Sequence, residues 1–297
     1  MITGYSAMIE RISALRGSTL SVAVAQDRDI LEVVCKASAA VGIQPVLFGD
    51  GHEIERIKRE IGYTGECKTV DEPDVLKATM AAVKSVHDGE ADVLMKGLVN
   101  TSDYLRAVLD KENGIRSGHL LSHLAAFELP GRTRLLFITD GGFNIAPDLD
   151  EKKTILKNAL GALRKMGYGH PNVAVLTANE QVNEKAVSTV HASAITHAAR
   201  EGEFGDCTVE GPIAFDVAIS KEAARHKRIE SKISGDVDLF LVPCIEVGNV
   251  MGKIMSILLG AKMSGVVLGA SSPVVLTSRS ETAESKLNSI LLASCCV

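Results

Sequence analysis

One recurring unit constrains this chain more than any other feature: a short apolar run, a polar turn, then residues at helical spacing. The runs are LSVAVA (20–25), PVLFG (45–49), ADVLMKG (91–97), RLLFITDGG (134–142), NVAVLTA (172–178), DLFLVP (238–243), SGVVLGA (264–270) and PVVLT (273–277). They are apolar throughout instead of alternating, so they read as strands buried on both faces, which predicts a mainly parallel sheet covered by helices. Helices are expected over Asp27–Val41, Glu53–Ile61, Asp74–His87, Leu149–Met166, Glu184–Arg200, Ile245–Leu259 and Ala283–Leu292. Met8, Ile9, Ile12 and Leu15 predict one amphipathic helix ahead of the first strand. HLLSHLAAFEL fits a strand pair or a strand with an irregular flank.

The series restarts after Pro130-Gly131, so two α/β lobes are expected. The first takes residues 1–130 and, through a returning final strand and helix, 272–297; the second takes 131–271. A chain of 297 residues, 46% hydrophobic and 23% charged, has ample material for two cores. The net charge of −5 argues against general affinity for nucleic acid or an anionic membrane, so an anionic ligand would need locally concentrated basic groups. The six cysteines form no CxxC pair and no zinc spacing, and they read as reduced thiols. Cys35 and Cys244 are expected in the core. No secretory pattern opens the sequence, and its most apolar region, 239–276, is interrupted by Pro243, Glu246, Lys253, Lys262 and Pro273. A soluble, cytoplasmic protein is expected.

Several familiar signatures fail on inspection. Gly248 to Lys253 has three residues between its glycines where a phosphate loop has four, and Ile254 stands where Ser or Thr would bind magnesium. No GxGxxG follows a strand and there is no GxSxG elbow. His119 and His123 could share a helix face for a metal, but no Glu or Cys is spaced to help them, and no metal site is assigned. What remains is polar residues at strand ends: Lys96 with Asn100, Ser122 with His123, Asp140 with Asn144, Asn249 with Lys253, and Ser278 with Arg279. Asn100, Thr101 and Ser102 are also candidate helix caps. In PVVLTSRSETAESKLNSILLA (273–293) a serine and an arginine lie between an apolar strand and an amphipathic helix, where backbone N–H groups and the helix dipole favour an anion such as phosphate.

The chain resembles the phosphate acetyltransferase and butyryltransferase family over nearly its whole length. The segments that carry the resemblance are ADVLMKGLVNTSDYLRAVLDKENGIRSGHLLSH, FITDGGFNIAPDLDEKK, NEQVNEKAVST, EGPIAFDVAIS, VDLFLVPCIEVGNVMGKIM and SSPVVLTSRSETAESKLNSILLA, in that order. DGGFNIAPD and MKGLVNT are closer to the butyryl branch. The resemblance implies a two-domain α/β fold with a cleft between the lobes, similar to the isocitrate/isopropylmalate dehydrogenases, and the reaction acyl-CoA + phosphate ⇌ acyl phosphate + CoA. It implies that Ser278 holds the CoA thiol and that Arg279 binds the phosphoryl group. Lys96, Asn100, Thr101, His123, Asn144, Asn249 and Lys253 are the expected substrate and CoA contacts.

In the acetyl branch an acid seven positions after the motif serine is the expected general base, and here that position is Ser285. Glu281, three after Ser278, is therefore the first candidate and Glu284 the second; on one helix they would share a face. The resemblance further implies coenzyme A as a substrate with no tightly bound cofactor or metal, and inorganic phosphate as its co-substrate. It also implies a homodimer or higher homo-oligomer formed through the second lobe, and an acyl (butyrate) kinase downstream. The alternatives are a metal- and NAD-dependent dehydrogenase of similar fold, and a CoA-binding protein without catalysis.

Overall fold

In a computed structural model, which describes residues 1–14, 18–278 and 281–297, the apolar runs form strands whose register is nearly all parallel. The chain opens with α1 (Tyr5–Ala14), β1 (Thr19–Ala23), α2 (Arg28–Val41), β2 (Gln44–Gly49), α3 (Gly51–Glu60), β3 (Lys68–Asp71), α4 (Val75–His87), β4 (Val93–Lys96) and α5 (Thr101–Val108). It continues with β5 (Ser122–Glu128), β6 (Leu136–Thr139), α6 (Leu149–Lys165), β7 (Asn172–Leu176), α7 (Val187–Arg200) and β8 (Thr208–Ile213). Then follow α8 (Phe215–Ile219), α9 (Lys221–Lys227), β9 (Leu239–Leu241), α10 (Ile245–Lys253), a π-turn over Ile254–Leu258, β10 (Lys262–Leu268), β11 (Val274–Val275) and α11 (Ala283–Ser294). Two compact units contain these elements: Met1–Thr3 with Leu120–Lys262, and Gly4–His119 with Met263–Val297.

In the unit that holds both chain ends of the helical series, strand order is β3-β2-β1-β4-β11-β10. β1 pairs in parallel with β2 and β4, β4 with β11, and β2 with β3; β10 runs antiparallel to β11. The chain moves outward from β1 to β2 and β3, then returns through α4 to β4 on the other side of β1. Because such crossovers are right-handed, the reversal puts α4 on the opposite face from α2 and α3. The packing agrees: α1, α2, α3 and α11 form one contiguous set, while α4 packs with α5. Leu20, Val22, Leu94, Met95, Val274 and Val275 are fully buried, as strands covered on both faces must be.

Local signals start and stop the helices. Asp27 caps α2 by accepting the N–H of Ile30, and Gly42 ends it in the left-handed conformation, φ 72°. The expected leader helix is present, with Met8 and Ile12 buried; Ile9 lies on its exposed side, and Leu15 falls outside the described residues.

The other unit has the order β5-β6-β9-β7-β8. β6 and β7 flank β9 in parallel, β8 runs parallel to β7, and β5 is antiparallel to β6. The segment HLLSHLAAFEL thus supplies one strand, β5. Asp148 and Glu151 form a reciprocal capping box at the start of α6, the feature that fixes where the helix begins after the DGGFN loop. Cys35 is buried, as are Cys295 and Cys296, but Cys244 is half-buried at the cap position of α10 and not in the core.

Candidate functional site

Lys96 ends β4, and Asp140 and Ser278 follow β6 and β11, at the carboxyl ends where open α/β sheets gather ligands, whereas His123 is at the amino end of antiparallel β5 and Asn249 and Lys253 are on α10. In the first-described unit the reversal between β1 and β4 creates such a point. Gly97, just past β4, donates its N–H to the Ala23 carbonyl at 2.9 Å, and Leu98 donates to the Val24 carbonyl at 2.8 Å. A Cβ on Gly97 would stand 2.3 Å from the Val24 oxygen, so only glycine fits. Val24 itself is left-handed, φ 57°, a costly conformation for a β-branched residue that persists only where surrounding contacts enforce it. Half-buried Lys96 folds its ammonium over this loop, donating to the carbonyls of Val99 at 2.7 Å and Gly97 at 3.2 Å. Asn100 caps α5 by accepting the Asp103 N–H at 2.9 Å, with exposed Thr101 beginning the helix.

The Ser-Arg motif follows β11. Ser278 is exposed, and its N–H donates to Oε1 of Glu281 at 2.8 Å while the Glu281 N–H returns a bond to the Ser278 carbonyl at 3.2 Å. Arg279 lies outside the described residues. Helix α11 starts later than a shared Glu281–Glu284 face requires. Thr282 is its cap, accepting the Ser285 N–H at 3.1 Å, so Glu281 precedes the helix and only Glu284 lies in its first turn. The two acids also differ in environment. Burial raises the Glu281 carboxyl above its ordinary value, against the lowering effects of the Ser278 N–H and of Lys286, whereas Glu284 is exposed.

In the second-described unit Asp140, just past β6, is buried and organises the loop that follows. Its Oδ1 accepts the N–H groups of Gly142 and Phe143, each at 2.9 Å. Its Oδ2 accepts Asn144 Nδ2 at 2.6 Å, the Asn144 N–H at 3.3 Å and the His123 N–H at 3.1 Å. Asn144 Nδ2 also donates to the Leu121 carbonyl at 2.8 Å, tying the loop to the start of β5. His123 is on β5 and half-buried, and no helix joins it to His119. Burial pushes the His123 imidazole below its ordinary value, with Asp140 opposing. The loop then meets α10 glycine to glycine: a Cβ on Gly248 would stand 2.5 Å from the Cα of Gly141. Asn249 and Lys253, four apart on α10, are both exposed.

Two groups were not singled out by spacing. Asp140 was paired with Asn144 but not placed among the site residues; the signal available was its position directly after a strand and before two glycines. Lys152 is buried on α6, and its Nζ meets His191 Nδ1 at 3.1 Å. Burial lowers the affinity of both groups for a proton. Nothing in the sequence marked Lys152, because DEKK at a helix start reads as a solvated turn. Among the described residues no group of three His, Cys, Asp or Glu side chains is placed to hold a metal ion, and no helix is long and apolar enough to cross a membrane.

Comparison with known proteins gives concordant results. A family described as Phosphate acetyl/butaryl transferase matches residues 53–294. A phosphate butyryltransferase of Clostridium acetobutylicum is 42% identical over 294 residues, covering 99% of this chain and 98% of its own. The crystal structure of a branched-chain phosphotransacylase from Enterococcus faecalis V583 superposes with a TM-score of 0.82 at 34% identity, covering 94% of this chain and 98% of its own. A 4-hydroxythreonine-4-phosphate dehydrogenase from Klebsiella pneumoniae, at 13% identity and a TM-score of 0.60 over 93% of this chain and 98% of its own, shares the fold alone.

Proposed function

The chain belongs to the phosphate acetyl/butyryl transferase family, and from that premise we propose that it is a phosphate butyryltransferase, interconverting acyl-CoA and phosphate with acyl phosphate and CoA. The observation that carries this reading is identity of 42% along essentially the entire length of both chains. The dehydrogenase alternative has only a likeness of fold behind it.

The chemistry proceeds by direct attack. The CoA sulfur adds to the carbonyl carbon of the acyl phosphate, the carbonyl oxygen takes up negative charge, and the tetrahedral species collapses with departure of phosphate. A thiol of ordinary pKa about 8.5 is mostly protonated at neutral pH, so a base must accept its proton. Glu281 is our first choice and Glu284 the second: a half-buried carboxyl with raised proton affinity suits a base better than an exposed one. Ser278 orients the thiol, and Arg279 neutralises the phosphoryl group and its departing charge. Lys96, Asn100, Thr101, His123, Asn144, Asn249 and Lys253 serve substrate binding. Holding two substrates together in one ternary complex can supply roughly 7–11 kcal/mol of barrier reduction without an acyl-enzyme.

The same reading has CoA as a substrate with no resident cofactor, a cytoplasmic location and a kinase acting on the acyl phosphate. It gives residues 131–271 the role of forming a homodimer, and 1–130 with 272–297 that of carrying the motif, in an isocitrate/isopropylmalate dehydrogenase-like arrangement. A coupled thiol-release assay with butyryl-CoA, with and without phosphate, tests the activity; absence of phosphate dependence would refute it.

A further inference from the structure

His123 is held in a way that fixes what its ring can offer. Its own N–H is bonded to buried Asp140 at 3.1 Å, and its carbonyl accepts the Thr139 hydroxyl at 2.8 Å, so the backbone is pinned on both sides. Gly142 closes over the ring: a Cβ there would stand 3.0 Å from His123 Cγ and 3.1 Å from Nδ1. Nδ1 is thereby sealed from solvent, and it has no hydrogen-bond partner among the described residues. The residue is nonetheless only half-buried, and Nε2, unlike Nδ1, is not a buried nitrogen left without a partner.

This arrangement selects one protonation state. A proton on Nδ1 would be a buried donor with no acceptor, which is disfavoured by about 1–3 kcal/mol, whereas a bare buried nitrogen is better tolerated. The imidazolium would need both nitrogens protonated and incurs the same penalty, with burial added. Asp140 is the charged group near the ring, and its two carboxylate oxygens are already engaged by five N–H donors, which spread its charge into the loop. What is left is a neutral ring with Nδ1 bare and the proton on Nε2. Such a ring cannot take a proton at Nε2, but it can donate to an oxygen.

We propose that His123 acts as a neutral hydrogen-bond donor, through Nε2–H, to a substrate oxygen that carries or develops negative charge. This rests on the phosphate acyltransferase reading, in which such oxygens are those of phosphate and of the acyl carbonyl. It gives His123, expected among the substrate contacts, the role of an electrophilic group.

The test combines kinetics with a direct view of the ring. Wild-type protein is compared with His123→Ala and His123→Gln in the butyryl-CoA assay across about pH 6 to 9, the range in which histidine titrates. Loss of one preorganised donor lowers kcat by about 10²–10³ in known cases, so the Ala variant should fall by at least tenfold. His123→Gln, whose amide N–H reaches the Nε2 position, should recover most of that loss and keep the wild-type pH profile. A fall in kcat at unchanged KM for phosphate assigns the donor to the acyl oxygen; a rise in that KM assigns it to phosphate. In parallel, ¹⁵N NMR of histidine-labelled wild-type protein at about pH 7 should show His123 with Nε2 protonated and Nδ1 bare. The proposal is overturned by an Ala variant within twofold of wild type, by a Gln variant no better than Ala, or by Nδ1 protonation in the spectrum. A wild-type protein without phosphate-dependent turnover would refute the functional reading, and the spectrum would still decide the state of the ring.

Discussion

The backbone N–H of Ser278 donates to Oε1 of Glu281 over 2.8 Å, and this carboxylate sits ahead of helix α11, not on it. The serine expected to hold a thiol and the acid expected to deprotonate it are therefore parts of one turn, closed again by the Glu281 N–H on the Ser278 carbonyl at 3.2 Å. A base tethered in this way keeps its second oxygen for the proton.

Glu281→Gln should lower kcat by about 10²–10⁴ with a smaller effect on KM, the range over which a positioned base contributes. Glu284→Gln should lower it far less. Because burial raises the Glu281 proton affinity, activity should decline as pH falls through a value above the ordinary 4.5. Stability runs the other way: the folded state holds this proton more tightly than the unfolded one, so Glu281 makes stability decrease as pH rises from about 4.5 through the folded value. The Gln variant should lose that slope. Steady-state kinetics and urea titrations at several pH values measure both.

Asp140 satisfies five N–H donors from a buried position. Asp140→Ala leaves them without an acceptor and should destabilise the protein by about 3 kcal/mol or more, with loss of activity. Asp140→Asn, which retains one acceptor oxygen, should be intermediate. Equal stability of wild type and the Ala variant in urea unfolding would show that the loop does not depend on this carboxylate.

Gly97→Ala places a methyl 2.3 Å from the Val24 oxygen and 2.6 Å from that of Ala23, both backbone atoms that cannot rotate away. We expect destabilisation of about 1–3 kcal/mol, the usual effect of forcing atoms into filled space. The methyl would also displace the strand end that carries Lys96, so KM should rise. Gly62→Ala is the comparison: a Cβ there meets nothing within 4 Å, and its effect should be limited to the strain of φ 68°.

Lys152 is buried against His191 Nδ1, with its proton affinity reduced chiefly by burial. The unfolded chain therefore binds this proton more tightly, and stability should rise with pH from the depressed folded value up to the ordinary 10.5. Lys152→Met should remove that slope and be neutral or stabilising near neutral pH by up to about 2 kcal/mol, as when buried charges give way to apolar groups. Destabilisation measured by thermal unfolding at constant pH would mean that Lys152 holds an interaction beyond His191.

The strands and their parallel pairing were legible because runs such as LSVAVA and NVAVLTA have no polar face, a pattern set by burial on both sides. β3 was not, since KTVD is a four-residue edge strand whose residues are all half-buried or exposed. The antiparallel pairings of β10 with β11 and β5 with β6 depend on contacts distant in sequence and leave no local period. The helix expected over Ile245–Leu259 is helical to Leu258, but its last turn, Ile254–Leu258, widens into a π-turn that helical spacing does not distinguish. At the site, the motif residues were found as a pattern of types at strand ends. The helix start at Ala283 was legible, but a helical face shared by Glu281 and Glu284 is not formed, because Thr282 accepts the Ser285 N–H and caps the helix after Glu281. The orientation of His123 depends on Gly142 packing over its ring, which no spacing rule encodes.

The central claim is that CoA and phosphate compete for one acyl group on this protein. Its most direct test is release of free CoA thiol from butyryl-CoA, with and without phosphate, in wild type and Arg279→Ala, each with and without a chelator. Phosphate-dependent release that survives the chelator, with turnover abolished but CoA binding partly kept in Arg279→Ala, is the predicted result. Binding of CoA by the wild type without phosphate-dependent release from any acyl-CoA would contradict it.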